Sequence, residues 1–242
     1  MDATQLTYPL PPCTVDVVTI TRQDIARLQP AEYLNDNIID YYLKRLLIED
    51  YASNELVKQN VLFLSSHFYS RLRAGKGTTM RERLAAGYKN VSTWLTRSDL
   101  FSRTLVFVPI NKEFLEFEWE RVFSVNTYEP THVAKIKVIA PTQKNSYDCG
   151  VFVLKYAQEI LTNFAKILID LAADKERPRD GVLLPRAITD DGLADLIPYD
   201  AFTPSDVTNK RTELQALLAD DTKAYEAILD AKTEAKQAKA EV

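Results

Sequence analysis

The chain has 242 residues, of which 46% are hydrophobic and 26% charged, which is the composition of one folded domain of ordinary core size. Its formal net charge of -4 offers no basic face for phosphates, so we expect protein partners and no nucleic-acid binding. The two cysteines show no regular spacing and no accompanying histidine pair, so the sequence supports neither a disulfide framework nor a zinc site. We expect no metal. Neither an apolar leader nor a run of about 18 apolar residues occurs, so we expect no membrane span and no secretion.

The first third of the chain contains three apolar segments. Residues 15–20, VDVVTI, are rich in β-branched side chains and predict a short edge strand. Residues 34–50, LNDNIIDYYLKRLLIED, place apolar side chains at steps of one and four, which predicts a helix with Asn35 or Asp36 as N-cap. Residues 61–72, VLFLSSHFYSRL, are strongly apolar, and their pattern leaves helix and strand open.

The middle of the chain predicts a small sheet. LVFVP at 105–109 is a short apolar run closed by proline, as in a buried strand that reaches its end. EWERVFSV at 118–125 and AKIKVIA at 134–140 predict two further strands. From Cys149 to about Phe164 the apolar spacing becomes helical again.

The remainder is more polar. Residues 175–200 predict a loop, Ser205 can cap a helix through Leu218, and a solvated helix or frayed tail follows. Helices, a small sheet and further helices in this order indicate an α+β fold.

Cys149 is the candidate nucleophile. A lone cysteine is usually a small buried hydrophobe. This one precedes Gly150 and opens a predicted helix, where unpaired N–H groups and the helix dipole stabilise a thiolate. Gln143, six residues upstream, carries an amide suited to stabilising the oxyanion that forms when a thiolate attacks a carbonyl. The pair alone is a weak signal, because such a nucleophile also needs a histidine base.

The sequence around Cys149 resembles a known family. PTQKNSYDCGVFVLKYAQEI is similar to the nucleophile block of the ubiquitin-like-protein proteases, the SUMO-specific or sentrin-specific peptidases, in which proline, glutamine, asparagine and Asp-Cys-Gly recur in this order. EYLNDNIIDYYLKRLL resembles the amino-terminal signature of that family, residues 61–72 follow in the right order, and residues 91–111 resemble its tryptophan block, which ends in a Val-Pro-x-Asn strand. IIDYYLK and FLEFEWE look most like the branch that trims poly-SUMO chains. The resemblance covers roughly residues 8–165 and, more loosely, 200–218.

The resemblance implies a papain-like α+β fold and hydrolysis after the carboxy-terminal Gly-Gly of SUMO or another ubiquitin-like modifier, with no cofactor. It implies that Cys149 is the nucleophile, that Gln143 is the oxyanion donor and that the backbone of Asp148 helps to shape the site. Tyr33 stands where the family has an aromatic wall of the Gly-Gly tunnel, although simple packing of the helix start remains an alternative for this ring. We expect a monomer in the nucleus or cytoplasm.

The catalytic histidine and aspartate of that family are missing. Where the family has a histidine followed by tryptophan, the chain runs from Lys112 directly into EFLEFEWERVF, which resembles a later part of the family pattern. We place a seam at 112–114 and expect a truncated central sheet. The two histidines are expected to be structural or exposed, with His132 as the better substitute base than His67. Trp119 follows a glutamate, whose usual pKa makes it a poor base for a thiol.

These observations predict an amino-terminal lead at 1–14, an incomplete protease domain at 15–220 and a polar helical tail at 221–242. The gap is compatible with a truncated gene model or splice form and with an evolved pseudoenzyme. Two functions therefore remain open: a desumoylating cysteine protease, and an inert protease fold that still binds a modifier tail. A purely structural role for Cys149 accords poorly with Gln143 and Gly150 beside it.

Overall fold

A computed structural model describes residues 3–95, 102–109, 140–173 and 196–240. These residues form two units. The described residues of the first unit fall within 1–50, 141–158 and 200–242, and those of the second fall within 51–140 and 159–199. Both contain helices and short strands, so the α+β prediction is confirmed. No helix in the described ranges has the length and apolar character needed to span a bilayer.

The first unit begins with a two-stranded antiparallel sheet. Strand β1, Thr4–Tyr8, pairs with β2, Val18–Thr21, and places Leu6 opposite Ile20. Both of these side chains are fully buried. The predicted strand at 15–20 is therefore shorter and shifted, because Asp16 has a positive φ of 55° and breaks the extended backbone. The sequence does not predict β1. Prolines follow it directly, and the strand forms because it pairs with β2.

Helices α1 and α2 follow the sheet. Helix α1, Arg22–Ala26, begins with a capping box between Thr21 and Asp24. Helix α2, Asp36–Arg45, begins at Asn35, whose side-chain oxygen accepts a hydrogen bond from the backbone N–H of Ile38 at 3.2 Å. The helix predicted over 34–50 is confirmed, with its last turn in the wider π form at Leu46–Asp50.

The last helix of the first unit, Pro204–Ala240, packs against β1 and is numbered α7. Its cap is Thr203, whose hydroxyl oxygen accepts from the N–H of Asp206 at 3.3 Å while the Asp206 carboxylate accepts from the N–H of Thr203 at 2.7 Å. The predicted cap at Ser205 is therefore wrong, because Pro204 takes the first helical position and the cap is Thr203, the residue directly before it. The helix also continues well beyond Leu218, which is buried.

Buried polar contacts join α7 to α2. The Lys210 side chain is 1% exposed, and its ammonium donates to the Tyr42 hydroxyl and to Glu213, each at 2.7 Å. Burial lowers the pKa of Lys210, and the Glu213 carboxylate opposes that effect. Asp221 accepts from the Tyr41 hydroxyl at 2.6 Å and from the Arg45 guanidinium at 3.1 Å. Burial, followed by Asp221, raises the pKa of Tyr41 far above its usual range. These contacts hold α7 in one register along α2.

The second unit contains a parallel pair of strands and a helical hairpin. Strand β3, Val61–Phe63, pairs in parallel with β4, Leu105–Phe107, which confirms the strand predicted there. The ambiguous segment at 61–72 therefore contains both types, β3 and helix α4, His67–Arg73. Helix α5, Met80–Leu95, packs on α4 around a small core. The buried members of that core are Leu64, Phe68, Leu72 and Val91.

Two remaining helices complete the described chain. Helix α3, Glu55–Asn60, is capped by Asn54 and leads directly into β3. Helix α6, Cys149–Ala173, begins where the sequence predicts and extends beyond the predicted end at Phe164. The strands predicted at 118–125 and 134–140 lie, apart from residue 140, outside the described residues, as does most of the loop predicted at 175–200.

Candidate active site

Cys149 is the first residue of α6. The backbone N–H of Phe152 donates to the carbonyl of Asp148 at 3.0 Å, so Asp148 occupies the N-cap position and Cys149 follows it. The thiol residue is exposed to solvent. Backbone N–H groups that lack an intrahelical partner at a helix start favour a negative charge, which is the form in which a thiol attacks.

Asn145 organises the loop before the cysteine. Its side-chain oxygen accepts from the backbone N–H groups of Tyr147 at 3.2 Å and Asp148 at 3.0 Å. Its side-chain amide donates to the Asp148 carboxylate at 2.7 Å. This Asx-type turn brings the chain into α6 with a defined entry angle. The family-like block already contains this asparagine, but its spacing alone did not indicate three contacts within one loop.

Gln143 is exposed at the start of the same loop. Its side-chain amide donates to the carbonyl of Asn145 at 2.8 Å. An amide carries two N–H donors, so this contact orients the group and leaves a second donor for a substrate oxyanion. The role predicted for Gln143 stays a prediction.

The segment that carries Tyr33 lies against the start of α6. A methyl group at Gly150 would place its carbon 2.8 Å from Cβ of Leu34, closer than side-chain contacts allow. Glycine therefore lets the helix start approach the residue that follows Tyr33. Tyr33 itself is 52% exposed. The fold thus brings the predicted wall residue and the predicted nucleophile onto adjoining segments, while the roles of both residues stay predictions.

A second set of contacts holds the chain after Tyr33. The Asp24 carboxylate accepts from the backbone N–H of Thr21 at 2.7 Å, and from the side-chain amides of Asn35 at 2.5 Å and Asn37 at 3.2 Å. Burial alone would raise the pKa of Asp24, but the hydrogen bonds from Thr21, Asn35 and Asn37 outweigh it and hold the pKa below its usual value. Asn35 therefore caps α2 and is tied to α1 at the same time.

The Asp148 carboxylate has a partner that the sequence did not indicate. Arg211, from α7, donates to one carboxylate oxygen from Nη2 at 2.8 Å and from Nε at 3.2 Å. The two residues are 63 positions apart, and no motif connects them. A buried arginine thus balances a carboxylate directly beside the cysteine.

The described part of the chain contains one of the two histidines. His67 begins α4, and its backbone N–H is held by the Ser65 hydroxyl at 3.1 Å. His132, Trp119 and the seam at 112–114 lie outside the described residues. Within the described ranges, no group of three or more His, Cys, Asp or Glu side chains could hold a metal ion.

We expect Cys149 to react faster than Cys13 with iodoacetamide, by roughly tenfold, because only Cys149 lies at a helix start that stabilises a thiolate. Both cysteines are exposed, so accessibility does not account for a difference. Competitive alkylation of the folded protein, followed by peptide mapping, measures the ratio. Equal labelling rates would contradict an activated thiol.

Comparison with known proteins gives a partial match to one family model and a shared fold. Residues 32–115 match the model of the Ulp1 protease family, C-terminal catalytic domain. Human sentrin-specific protease 7 is 36% identical over 112 residues, which are 44% of this chain and 10% of that protein. The chain thus spans about a tenth of the length of this relative.

Solved structures share the fold over most of the chain. A crystal structure of a de-sumoylating protease aligns with a TM-score of 0.63 and 21% identity over 94% of this chain and 95% of that one. The carboxy-terminal Ulp1 protease domain, solved with the yeast ortholog of SUMO, aligns with a TM-score of 0.52 and 18% identity over 91% of this chain and 89% of that one. The papain-like α+β fold expected from the sequence is confirmed. The matched family model, the sequence relatives and the shared fold agree with the resemblance read from the sequence, and residues 32–115 are similar to the catalytic domain of the Ulp1 protease family.

Proposed function

We propose that this chain comes from a cysteine peptidase that hydrolyses the bond after the carboxy-terminal Gly-Gly of SUMO or another ubiquitin-like modifier. The observation that carries the proposal is the exposed Cys149 at the first position of α6. The thiolate attacks the terminal glycine carbonyl, and the second N–H of Gln143 stabilises the oxyanion. Tyr33 walls the narrow channel for the two glycines.

The modifier and the place of action belong to the same proposal. A solved relative was crystallised with the yeast ortholog of SUMO, which supports SUMO as the first modifier to test. The sequence features of the poly-SUMO-trimming branch support chains of SUMO as the substrate. A nuclear or cytoplasmic location accords with two free thiols and no disulfide.

The chain as it stands is expected to bind the modifier but scarcely to turn it over. Its two histidines are followed by Phe68 and Val133, so neither forms the His-Trp pair of the family. The family-model match ends at residue 115, beside the seam at 112–114, which supports a gap at that position. Loss of the base and its orienting aspartate removes most of the rate acceleration, since the oxyanion donor supplies only a part.

The missing histidine and aspartate also favour a second candidate function, a binding module. A fold that keeps the tail channel and loses the base would hold a SUMO-like or ubiquitin-like tail without cutting it. The genomic interval at the seam separates the two candidates. An open frame that encodes His-Trp and a later aspartate supports the enzyme, and a continuous coding sequence without them supports the module.

We expect no hydrolysis of a SUMO carboxy-terminal fluorogenic substrate above the uncatalysed background, because no histidine stands at the expected place. Binding of SUMO that ends in Gly-Gly is expected to exceed binding of SUMO that lacks these two residues. Fluorescence release and titration calorimetry measure the two quantities. If hydrolysis occurs, and His132→Ala abolishes it while His67→Ala does not, then His132 is the base and the seam is misplaced. Equal binding of both SUMO forms would contradict a tail channel.

A further inference from the structure

Arg211 of α7 joins the two segments that lead into the candidate active site. Its side chain is 8% exposed and lies between residues 27–32, which precede Tyr33, and residues 147–148, which precede Cys149. We propose that Arg211 is a positioning residue that sets the distance between the tail-binding segment and the start of the nucleophile helix. The inference rests on the proposed function and adds to it a residue that touches neither modifier nor thiol.

The first group of contacts holds the segment before Tyr33. Nη1 donates to the carbonyls of Arg27 at 3.1 Å and Gln29 at 3.3 Å, and Nη2 donates to the carbonyl of Glu32 at 2.7 Å. All three acceptors belong to the backbone. The guanidinium of Arg211 thus fixes the backbone that leads to Tyr33, and it does so independently of the side chains in that segment.

The second group of contacts holds the segment before Cys149. Nη2 donates to the carbonyl of Tyr147 at 3.3 Å, and Nη2 and Nε both donate to one oxygen of Asp148. The other oxygen of Asp148 accepts from Asn145, so the carboxylate is held from both sides. The N-cap residue of α6 is therefore fixed by a side chain of α7.

The backbone of residues 27–32 is strained at one position, which explains why it needs the contacts from Arg211. Ala31 has a positive φ of 63°, which costs free energy for any residue with a Cβ. It lies between Gln29 and Glu32, whose carbonyls accept from Arg211. Such a conformation persists only where surrounding contacts impose it, and the buried guanidinium supplies them.

Arginine is suited to this task in a way that lysine is not. The guanidinium is planar and carries five N–H donors in fixed directions, whereas an ammonium is a compact charge on a flexible stem. Lysine at position 211 keeps a positive charge for Asp148 but cannot reach the carbonyls of both segments together. Arg211→Lys therefore keeps the charge that balances Asp148 and removes the contacts that position the two segments.

The test compares Arg211→Lys with Arg45→Lys. Arg45 is a matched control, because it is also an arginine of the first unit with little exposure, 18% of its side chain, but it pairs with Asp221 at 3.1 Å and Asp50 at 3.8 Å. We expect Arg211→Lys to weaken binding of Gly-Gly-ended SUMO by roughly five- to tenfold and to leave binding of SUMO without the two glycines within about twofold. Arg45→Lys is expected to change neither affinity by more than about twofold.

If Arg211→Lys loses the same affinity for both forms of SUMO, Arg211 has a structural role only. If its affinity for the Gly-Gly form is unchanged, the proposed positioning role is wrong. If Arg211→Lys reduces the yield of folded protein, Ala31→Gly is added to both variants, because glycine adopts a positive φ without strain.

A second readout separates this inference from the proposed function. If the unmodified protein does not distinguish the two SUMO forms, the proposed function fails, and the alkylation ratio of Cys149 to Cys13 still tests Arg211. We expect that ratio to fall about threefold in Arg211→Lys, because a loosened N-cap weakens the helix start that stabilises the thiolate. It is expected to stay constant in Arg45→Lys. An unchanged ratio in Arg211→Lys would overturn the positioning role.

Discussion

Insertion of the missing family segment after Lys112 is expected to raise hydrolysis of a SUMO carboxy-terminal substrate from background by roughly 10⁴-fold or more. The segment carries the His-Trp pair and the later aspartate. It is expected to add two strands beside β4, Leu105–Phe107, and to bring an imidazole within hydrogen-bond reach of Cys149. The imidazole then removes the thiol proton and later protonates the leaving amine. Initial rates with a fluorogenic SUMO substrate measure the gain.

Two variants of the repaired protein act as controls. Cys149→Ser is expected to eliminate hydrolysis, because a hydroxyl is far less acidic than a thiol. Gln143→Ala is expected to lower the rate by about 10²-fold, the usual effect of removing one oxyanion donor. A repaired protein that is folded and binds SUMO, but shows no cleavage that depends on Cys149, would leave the binding module as the function.

Replacing Gly87 by alanine is expected to destabilise the second unit by about 2–3 kcal/mol. Gly87 lies within α5, where the same exchange at an exposed site stabilises a helix by up to about 1 kcal/mol. Here the new methyl carbon would overlap the carbonyl oxygen of Leu72, at the end of α4. A backbone oxygen cannot turn aside as a side chain can, so the two helices must separate. Their shared core around Phe68 and Val91 then loses contacts.

Urea unfolding monitored at Trp94 measures this effect locally. Trp94 packs on Phe68 across the two helices, with ring centroids 6.1 Å apart. A Trp119→Phe background leaves Trp94 as the sole tryptophan. Ala85→Gly, at an exposed position of α5, is the control and should cost only the propensity difference of about 1 kcal/mol. If Gly87→Ala stabilises the unit, the close approach of α4 and α5 is wrong.

Local signals made part of this structure predictable. The cap at Asn35, the start of α6 at Cys149 and the strand that ends near Pro109 each depend on residues within one or two turns. Helix periodicity, capping side chains and proline act at short range, so a linear pattern contains them. The candidate nucleophile was predictable for the same reason, since its special feature is its place at a helix start.

Tertiary structure decided the features that need a distant partner. Strand β1 has no strong pattern of its own and exists because it pairs with β2. The segment at 61–72 changes from strand to helix because β4 pairs with its first residues and α5 packs on its last. Periodicity does not reveal such changes, because hydrogen-bond partners and buried faces are shared between separated parts of a chain.

The contacts that hold the candidate site in place also depend on residues far apart in the sequence. Tyr41 meets Asp221 across 180 positions, and Arg211 reaches the carbonyl of Glu32 across 179. Tyr41, Arg211 and Asp221 each lie on a helix, and none of them stands out in the sequence by its type or its neighbours. The local pattern around Cys149 is enough to predict that this thiol lies at a helix start. Only the folded chain determined which buried arginine holds that helix start beside Tyr33, because burial makes each polar group find a partner and the fold alone decides which one is within reach.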